Sequence, residues 1–128
     1  MSTQPKLHYL DLFDNQLVIL PSEVGNLTEL NWLSLADNNL TELSYIFTNT
    51  TKLEYLNLDN NQLAKFPLEI TYLGKLKTLR LANNQITELP PEFSNLVNLN
   101  ELYLGRNELS EFSLTITKLI ELNALDLS

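Results

Sequence analysis

A leucine recurs every 23 residues along this chain, and that period constrains the fold more than any other feature of the sequence. The recurring leucines are Leu7, Leu30, Leu53, Leu76, Leu99 and Leu122. A constant period of this length predicts a repeat architecture in which each unit stacks on the next. We therefore predict one solenoid domain over 7–128 after a leader of residues 1–6. Its repeats are 7–29, 30–52, 53–75, 76–98, 99–121 and a partial repeat at 122–128.

Each full repeat opens with the pattern L-x-x-L-x-L-x-x-N-x-L, as in LEYLNLDNNQL from Leu53, with isoleucine in the last place of the fourth repeat. This pattern and the proline-bearing second half resemble the leucine-rich repeats of intracellular Ras-binding scaffold proteins and of many bacterial repeat proteins. The resemblance covers 7–128. It implies an α/β solenoid, a right-handed horseshoe with a parallel β-sheet on its concave side and irregular or 3₁₀ structure on its convex side.

The periodicity inside each repeat explains why the units must stack. In x-L-x-L-x, residues such as Leu33 and Leu35 point inward and their neighbours outward, as in a short strand. One repeat buries about eight apolar side chains at about 1.5–3 kcal/mol each. Ordering its backbone costs about 1–2 kcal/mol per residue, so a lone repeat is unstable and needs its neighbours.

An asparagine stands at the ninth place of every full repeat. These residues are Asn15, Asn38, Asn61, Asn84 and Asn107. A short amide that turns inward can bond backbone groups of its own turn and of the adjoining turn. We therefore predict a structural asparagine ladder rather than a ligand site.

The residue types that carry catalysis or bind metals are scarce in this sequence. It contains no cysteine and a single histidine, His8, so it cannot supply a thiol nucleophile, a thiolate metal site or a histidine pair. Its three glycines lie in separate repeats and form no phosphate-binding loop. We expect no enzymatic activity, no cofactor and no metal site.

Charge and composition also restrict the partners and the location of the chain. Sixteen acidic and eight basic residues give a net charge of −8, which argues against nucleic acid and anionic membranes as partners. Without cysteine, a signal peptide or a long apolar run, the sequence favours a cytoplasmic location. A signal peptide removed from a longer precursor would leave no trace here.

The outward places of the strands form the candidate partner-binding surface on the concave face. We predict that the partner contacts Tyr9, Asp11, Phe13, Trp32, Tyr55, Asp59, Arg80, Tyr103 and Arg106. Three aromatic residues in one column, with acids beside them, define one end, and basic residues that include Lys77 define a cationic end. Tyr, Trp and Arg dominate the energetics of protein interfaces. The alternative is that the aromatic rings only stabilise adjacent strands by packing on one another.

Three functions remain open at this point. The first is a recognition module that grips a protein or peptide on its concave face. The second follows from the ends of the solenoid, because neither carries a capping element. Either the chain is a fragment of a longer array, or it pairs end to end with another copy as a homo-oligomer. The third is a targeting domain of a larger enzyme whose catalytic part lies outside this sequence.

Overall fold

The computed structural model describes residues 6–43, 47, 49–110 and 123–128. Within them, short parallel strands form one open sheet in chain order, β1 to β6. The strands are β1 Tyr9–Asp11, β2 Trp32–Ser34, β3 Tyr55–Asn57, β4 Thr78–Arg80, β5 Glu101–Tyr103 and β6 Ala124–Asp126. Each strand pairs with the next at an offset of one repeat, as when Leu33 lies opposite Leu56. The predicted leucine-rich repeat solenoid is confirmed.

The central residue of each strand faces the interior. Leu33, Leu56, Leu79 and Leu102 are fully buried. In contrast, Leu10 of β1 is half-buried and Leu125 of β6 is exposed, because each of these strands pairs with a neighbour on one side within the described sheet. The core therefore runs as a continuous column beneath the strands, and burial depends on having a coil on both sides.

Short 3₁₀ helices return the chain on the outer side in three repeats. They are Ser22–Asn26, Leu68–Tyr72 and Pro91–Asn95. A proline precedes each helix in an extended conformation, and its fixed φ directs the chain into the turn. Each helix buries one apolar side chain, Val24, Ile70 or Phe93. The irregular and 3₁₀ convex side expected from the sequence is thus present.

The second repeat departs from this pattern in its outer half. Phe47 is fully buried there and fills the core. Thr50 takes the place of a consensus leucine and is also fully buried, and its Oγ1 has no hydrogen-bond partner among the described residues. The variant residues at 44–46 of this repeat, and Ser113, Leu114 and Ile120 of the fifth, lie outside the described residues.

Candidate functional site

The inward asparagines bond backbone groups of two successive repeats. Asn61 donates from Nδ2 to the carbonyl oxygens of Leu35 (3.0 Å) and Leu58 (3.2 Å). Its Oδ1 accepts the backbone N–H of Leu40 at 3.0 Å. Asn61 is only 7% exposed, so these bonds replace water for backbone groups that the coil buries. The residues that make the same three kinds of contact are Asn38, Asn84 and Asn107.

The first repeat has a weaker version of this arrangement. Asn15 is exposed, and its side chain donates to the carbonyl oxygen of Phe13 at 3.1 Å. Its backbone N–H in turn donates to Oδ1 of Asn38 at 3.0 Å. The side chain of Asn15 thus bonds only its own turn. The other ladder bonds of the first repeat are made by Asn38 of the second repeat.

On the solvent face of the sheet, Tyr9, Trp32 and Tyr55 form one continuous aromatic stack. The ring centroids of Tyr9 and Trp32 are 4.1 Å apart with planes inclined by 12°. Those of Trp32 and Tyr55 are 4.7 Å apart and parallel within 1°. The parallel register aligns the three residues, and the distances match the spacing of neighbouring strands, about 4.8 Å.

Tyr9 and Tyr55 cover the two ring faces of Trp32. Trp32 is half-buried between its neighbours, whereas Tyr9 at the end of the stack is 56% exposed. Phe13 lies beyond β1 and is exposed to a similar degree. The packing that the sequence offered as an alternative is therefore present, and apolar ring surface is also available to a partner.

A shallow depression adjoins the aromatic stack. Its volume is about 330 Å³, and its lining residues are Asn31, Trp32, Glu54, Tyr55, Lys77 and Thr78. Burial raises the pKa of the Tyr55 phenol, an effect that the hydrogen bond from Asn57 partly offsets. Tyr55 therefore remains a neutral hydroxyl beside the depression at neutral pH. The depression offers ring edges on one side and an ion pair on another.

Asp59 and Arg80, both predicted to contact a partner, bond each other. Nε of Arg80 donates to Oδ2 of Asp59 at 2.8 Å, and the backbone N–H of Ala82 donates to Oδ1 of Asp59 at 2.8 Å. The guanidinium of Arg80 also stacks on the ring of Tyr103, 4.4 Å from its centroid. Asp59 is only 8% exposed. We call Asp59, Arg80 and Tyr103 the arginine clamp.

Arg80 cannot accept the hydrogen bond that is usual at its position in the repeat. In four other repeats, the fifth residue accepts the backbone N–H of the seventh residue of the same repeat. The residues that do so are Asp11, Ser34, Asn57 and Asp126. Arg80 has no acceptor atom, so Asp59 of the preceding repeat accepts the N–H of Ala82 in its place. Asp59 therefore supports the backbone as well as the charge of Arg80.

Electrostatics keep Arg80 ionised. Partial burial lowers the pKa of Arg80, but the hydrogen bond and the negative charge of Asp59 more than offset it, so the net pKa is raised. Nearby, the hydrogen bonds from Ser128 lower the pKa of Asp126, which is half-buried. Both groups carry their full charge at neutral pH.

The expected cationic end of the sheet is largely neutralised within the protein. Besides the arginine clamp, Nζ of Lys77 lies 3.2 Å from a carboxylate oxygen of Glu54 in the preceding repeat. Arg106 is exposed at the edge of the sheet. The sequence carried the signal for these pairs, because opposite charges recur at offsets of 21 and 23 residues, but it did not show which pairs would form.

A column of left-handed residues lies at the rim where the strands end, and sequence reasoning missed it. We call it the rim column; its members are Asp14, Asp37, Asn60, Asn83 and Arg106, with φ between 57° and 60°. Asparagine and aspartate tolerate this conformation better than other side chains. Amide bonds join part of the column, from Asn83 to Asn60 (2.8 Å) and from Asn60 to Asp37 (3.1 Å). The repeated Asp or Asn before the ladder asparagine was the available signal.

In the part of the chain that the structure describes, no three or more histidine, cysteine, aspartate or glutamate side chains are placed to hold a metal ion. In the same residues, no helix has the length and apolar character needed to cross a membrane.

Two sequence-family models match the chain. A leucine rich repeat model matches residues 5–63, and a model of two leucine rich repeats matches residues 75–128. Together they cover most of the sequence. A search of curated proteins found no match.

Solved structures with the same fold include one from a plant and two from bacteria. The ectodomain of the receptor kinase GASSHO1/SCHENGEN3 from Arabidopsis thaliana, in complex with CASPARIAN STRIP INTEGRITY FACTOR 2, has a TM-score of 0.83 at 39% identity. Internalin C2 from Listeria monocytogenes has a TM-score of 0.85 at 30% identity. The protein LIC12759 from Leptospira interrogans has a TM-score of 0.73 at 33% identity.

These matches extend over nearly all of this chain but only part of the other proteins. The matched regions cover 95%, 95% and 94% of this chain. They cover 15% of the plant receptor chain, 52% of the internalin and 37% of the Leptospira protein. The similarity therefore concerns a block of repeats.

Proposed function

The chain belongs to the leucine-rich repeat family, and we propose that it is a recognition module that binds a protein or peptide on the solvent face of its sheet. The aromatic stack is the observation that carries this proposal. A similar ectodomain was solved in complex with CASPARIAN STRIP INTEGRITY FACTOR 2, which supports binding as the role of such repeats. We propose no catalytic role, because the chain has no cysteine and one histidine.

The aromatic stack suits recognition better than it suits stability alone. Stacking the rings of Tyr9, Trp32 and Tyr55 stabilises the fold by about 0.5–1.5 kcal/mol per pair, a gain that buried leucines supply more readily. Tyr9 and Phe13 leave more than half of their surface in water. Exposed apolar surface next to polar groups is typical of interaction sites. Tryptophan and tyrosine are also the residue types that contribute most to interface energetics.

The test compares partner capture by the wild-type chain and by Trp32→Ala, followed by titration of each captured protein. We expect Trp32→Ala to weaken binding by about 2 kcal/mol or more. Because Trp32 stacks on two tyrosines, its loss also destabilises the fold by about 1–3 kcal/mol. Binding is therefore measured at a temperature at which circular dichroism shows both proteins to be folded.

Tyr72→Ala is the matched control, since Tyr72 lies in the 3₁₀ helix Leu68–Tyr72 and is 69% exposed. This substitution removes an exposed aromatic ring that lies away from the sheet, so it should leave binding unchanged. A partner that binds Trp32→Ala and Tyr9→Ala as tightly as the wild type would place recognition elsewhere on the molecule. A partner lost equally in Tyr72→Ala would also contradict the proposed surface.

A further inference from the structure

We propose that the partner of the sheet face is a basic segment, rich in lysine or arginine, that places an apolar side chain against the aromatic stack. This inference rests on the proposed function and specifies the chemistry of the partner. It follows from which charges on this face are already paired within the protein and which remain available.

Of the cations Lys77, Arg80 and Arg106, the first two are paired internally, and Arg106 is exposed at the edge of the sheet away from the aromatic stack. Nε of Arg80 lies 2.8 Å from Asp59, and Nζ of Lys77 lies 3.2 Å from Glu54. The ring of Tyr103 further covers the guanidinium of Arg80. These cations attract a partner weakly, because the adjacent carboxylate cancels most of the field of each one.

The acids beside the aromatic stack are in the opposite situation. Asp11, Asp14 and Asp37 are exposed, and none of them forms a salt bridge within the described residues. Asp14 and Asp37 occupy equivalent positions on adjacent coils, whose backbones lie about 4.8 Å apart, and Oδ1 of Asp37 also accepts a hydrogen bond from Asn60. Like charges at equivalent positions of neighbouring strands destabilise the free protein. A cation from a partner would remove that repulsion and gain two attractions at once.

The apolar requirement comes from the geometry of the aromatic stack. The depression of about 330 Å³ beside Trp32 and Tyr55 is large enough for one side chain. At the other end, Tyr9 stacks on Trp32 and is 56% exposed, and a cation over a tyrosine face gains about 0.5–1 kcal/mol at an exposed site. Cationic and apolar groups are thus favoured within one short stretch of partner chain.

A display library of random short peptides provides the probe. It is selected on the wild-type chain, and individual peptides are then titrated against two triple variants. The first variant is Asp11→Asn, Asp14→Asn and Asp37→Asn; asparagine keeps the acceptor for the N–H of Phe13 and tolerates the left-handed rim positions. The matched control is Glu69→Gln, Glu88→Gln and Glu92→Gln, away from the sheet face. Each variant removes three of the sixteen acidic residues.

The selected peptides should carry a net positive charge and at least one apolar or aromatic residue. They should bind the aspartate variant about tenfold more weakly than the wild type, as expected for three partly exposed charge contacts. They should bind the glutamate control nearly as tightly as the wild type. Raising the ionic strength should reduce wild-type affinity and the difference between the two variants, because salt screens exposed charges.

The outcomes separate this inference from the function on which it rests. Neutral or acidic peptides that lose affinity for Trp32→Ala would overturn the basic-partner inference and keep the sheet face as the binding surface. Peptides that bind Trp32→Ala as tightly as the wild type would overturn the proposed function itself. Basic peptides that weaken equally in both triple variants reflect net charge only and contradict the inference, as does a selection that enriches no peptide.

Discussion

The two faces of this one sheet follow opposite rules. On the interior face, the same residue type returns in every repeat, and Leu33, Leu56 and Leu79 are each fully buried. On the solvent face, the residues that flank these leucines change from aromatic to polar to charged along the sheet. The interior leucines therefore fix a register of 23 residues between neighbouring strands. On the solvent face, the same register brings together side chains that are distant in sequence.

The two faces also satisfy their polar groups in different ways. Interior polar groups depend on protein partners, whereas those on the solvent face can also bond water. Replacing an interior group should therefore change the free energy of unfolding more than replacing a neighbouring exposed group. The following predictions test this rule in order of expected effect.

The largest expected effect is that of Asn61→Leu. The substitution leaves the N–H of Leu40 and the carbonyls of Leu35 and Leu58 without the partners they have in the folded protein. Unsatisfied buried groups cost about 1–3 kcal/mol, so chemical denaturation should show a loss of stability of that size.

Gln62→Leu is the control, because it makes a similar exchange of amide for leucine one residue away on an exposed side chain. It should change the free energy of unfolding by less than about 0.5 kcal/mol. Equal stabilities of Asn61→Leu and Gln62→Leu would show that the ladder contributes nothing that water cannot supply.

The second prediction concerns an interior polar group without a partner. Thr50 is fully buried, and its Oγ1 forms no hydrogen bond to the described residues. Valine has the same shape without the hydroxyl, so Thr50→Val should raise the free energy of unfolding by about 1 kcal/mol. Thermal or chemical denaturation measures this change.

Thr71→Val supplies the contrast within the same class of side chain. Thr71 is also buried, but its Oγ1 donates to the carbonyl oxygen of Leu68 at 2.6 Å. Removing that hydroxyl should lower stability by about 0.5–1.5 kcal/mol. If both substitutions shift stability in the same direction, the satisfaction of hydrogen bonds does not decide the outcome at these positions.

The interior face could be read from the sequence because its rule is local and repeats. The period placed the leucines inward, the asparagine column indicated a backbone ladder, and the position of Trp32 on the opposite side followed from alternation along the strand. The stacking of Trp32 between two tyrosines was also foreseen as an alternative, since neighbouring strands share one register.

The solvent face was less predictable because its contacts depend on rotamers as well as on register. Arg80 could have pointed to a partner, yet it bonds Asp59 because that carboxylate also accepts the N–H of Ala82. Nothing in the repeat pattern requires this substitution of one acceptor for another. Likewise, the left-handed conformation of the rim column comes from backbone dihedral angles that leucine periodicity does not report.

The smallest expected effect is in the rim column, at a position that tests whether the solvent face is separate from the framework. Arg106 adopts a φ of 58° where two other repeats have Asn60 and Asn83. A left-handed conformation costs an ordinary side chain about 1–2 kcal/mol, and asparagine less. We therefore expect Arg106→Asn to raise the free energy of unfolding by about 0.5 kcal/mol.

Repeated denaturant titrations against the wild type measure this difference, with Arg106→Lys as the control that keeps both charge and backbone strain. If stability rises and partner affinity falls, the left-handed Arg106 lowers stability at a position that recognition uses. If Arg106→Asn is less stable than the wild type, the arginine stabilises the rim through its own contacts, and this position on the solvent face belongs to the framework.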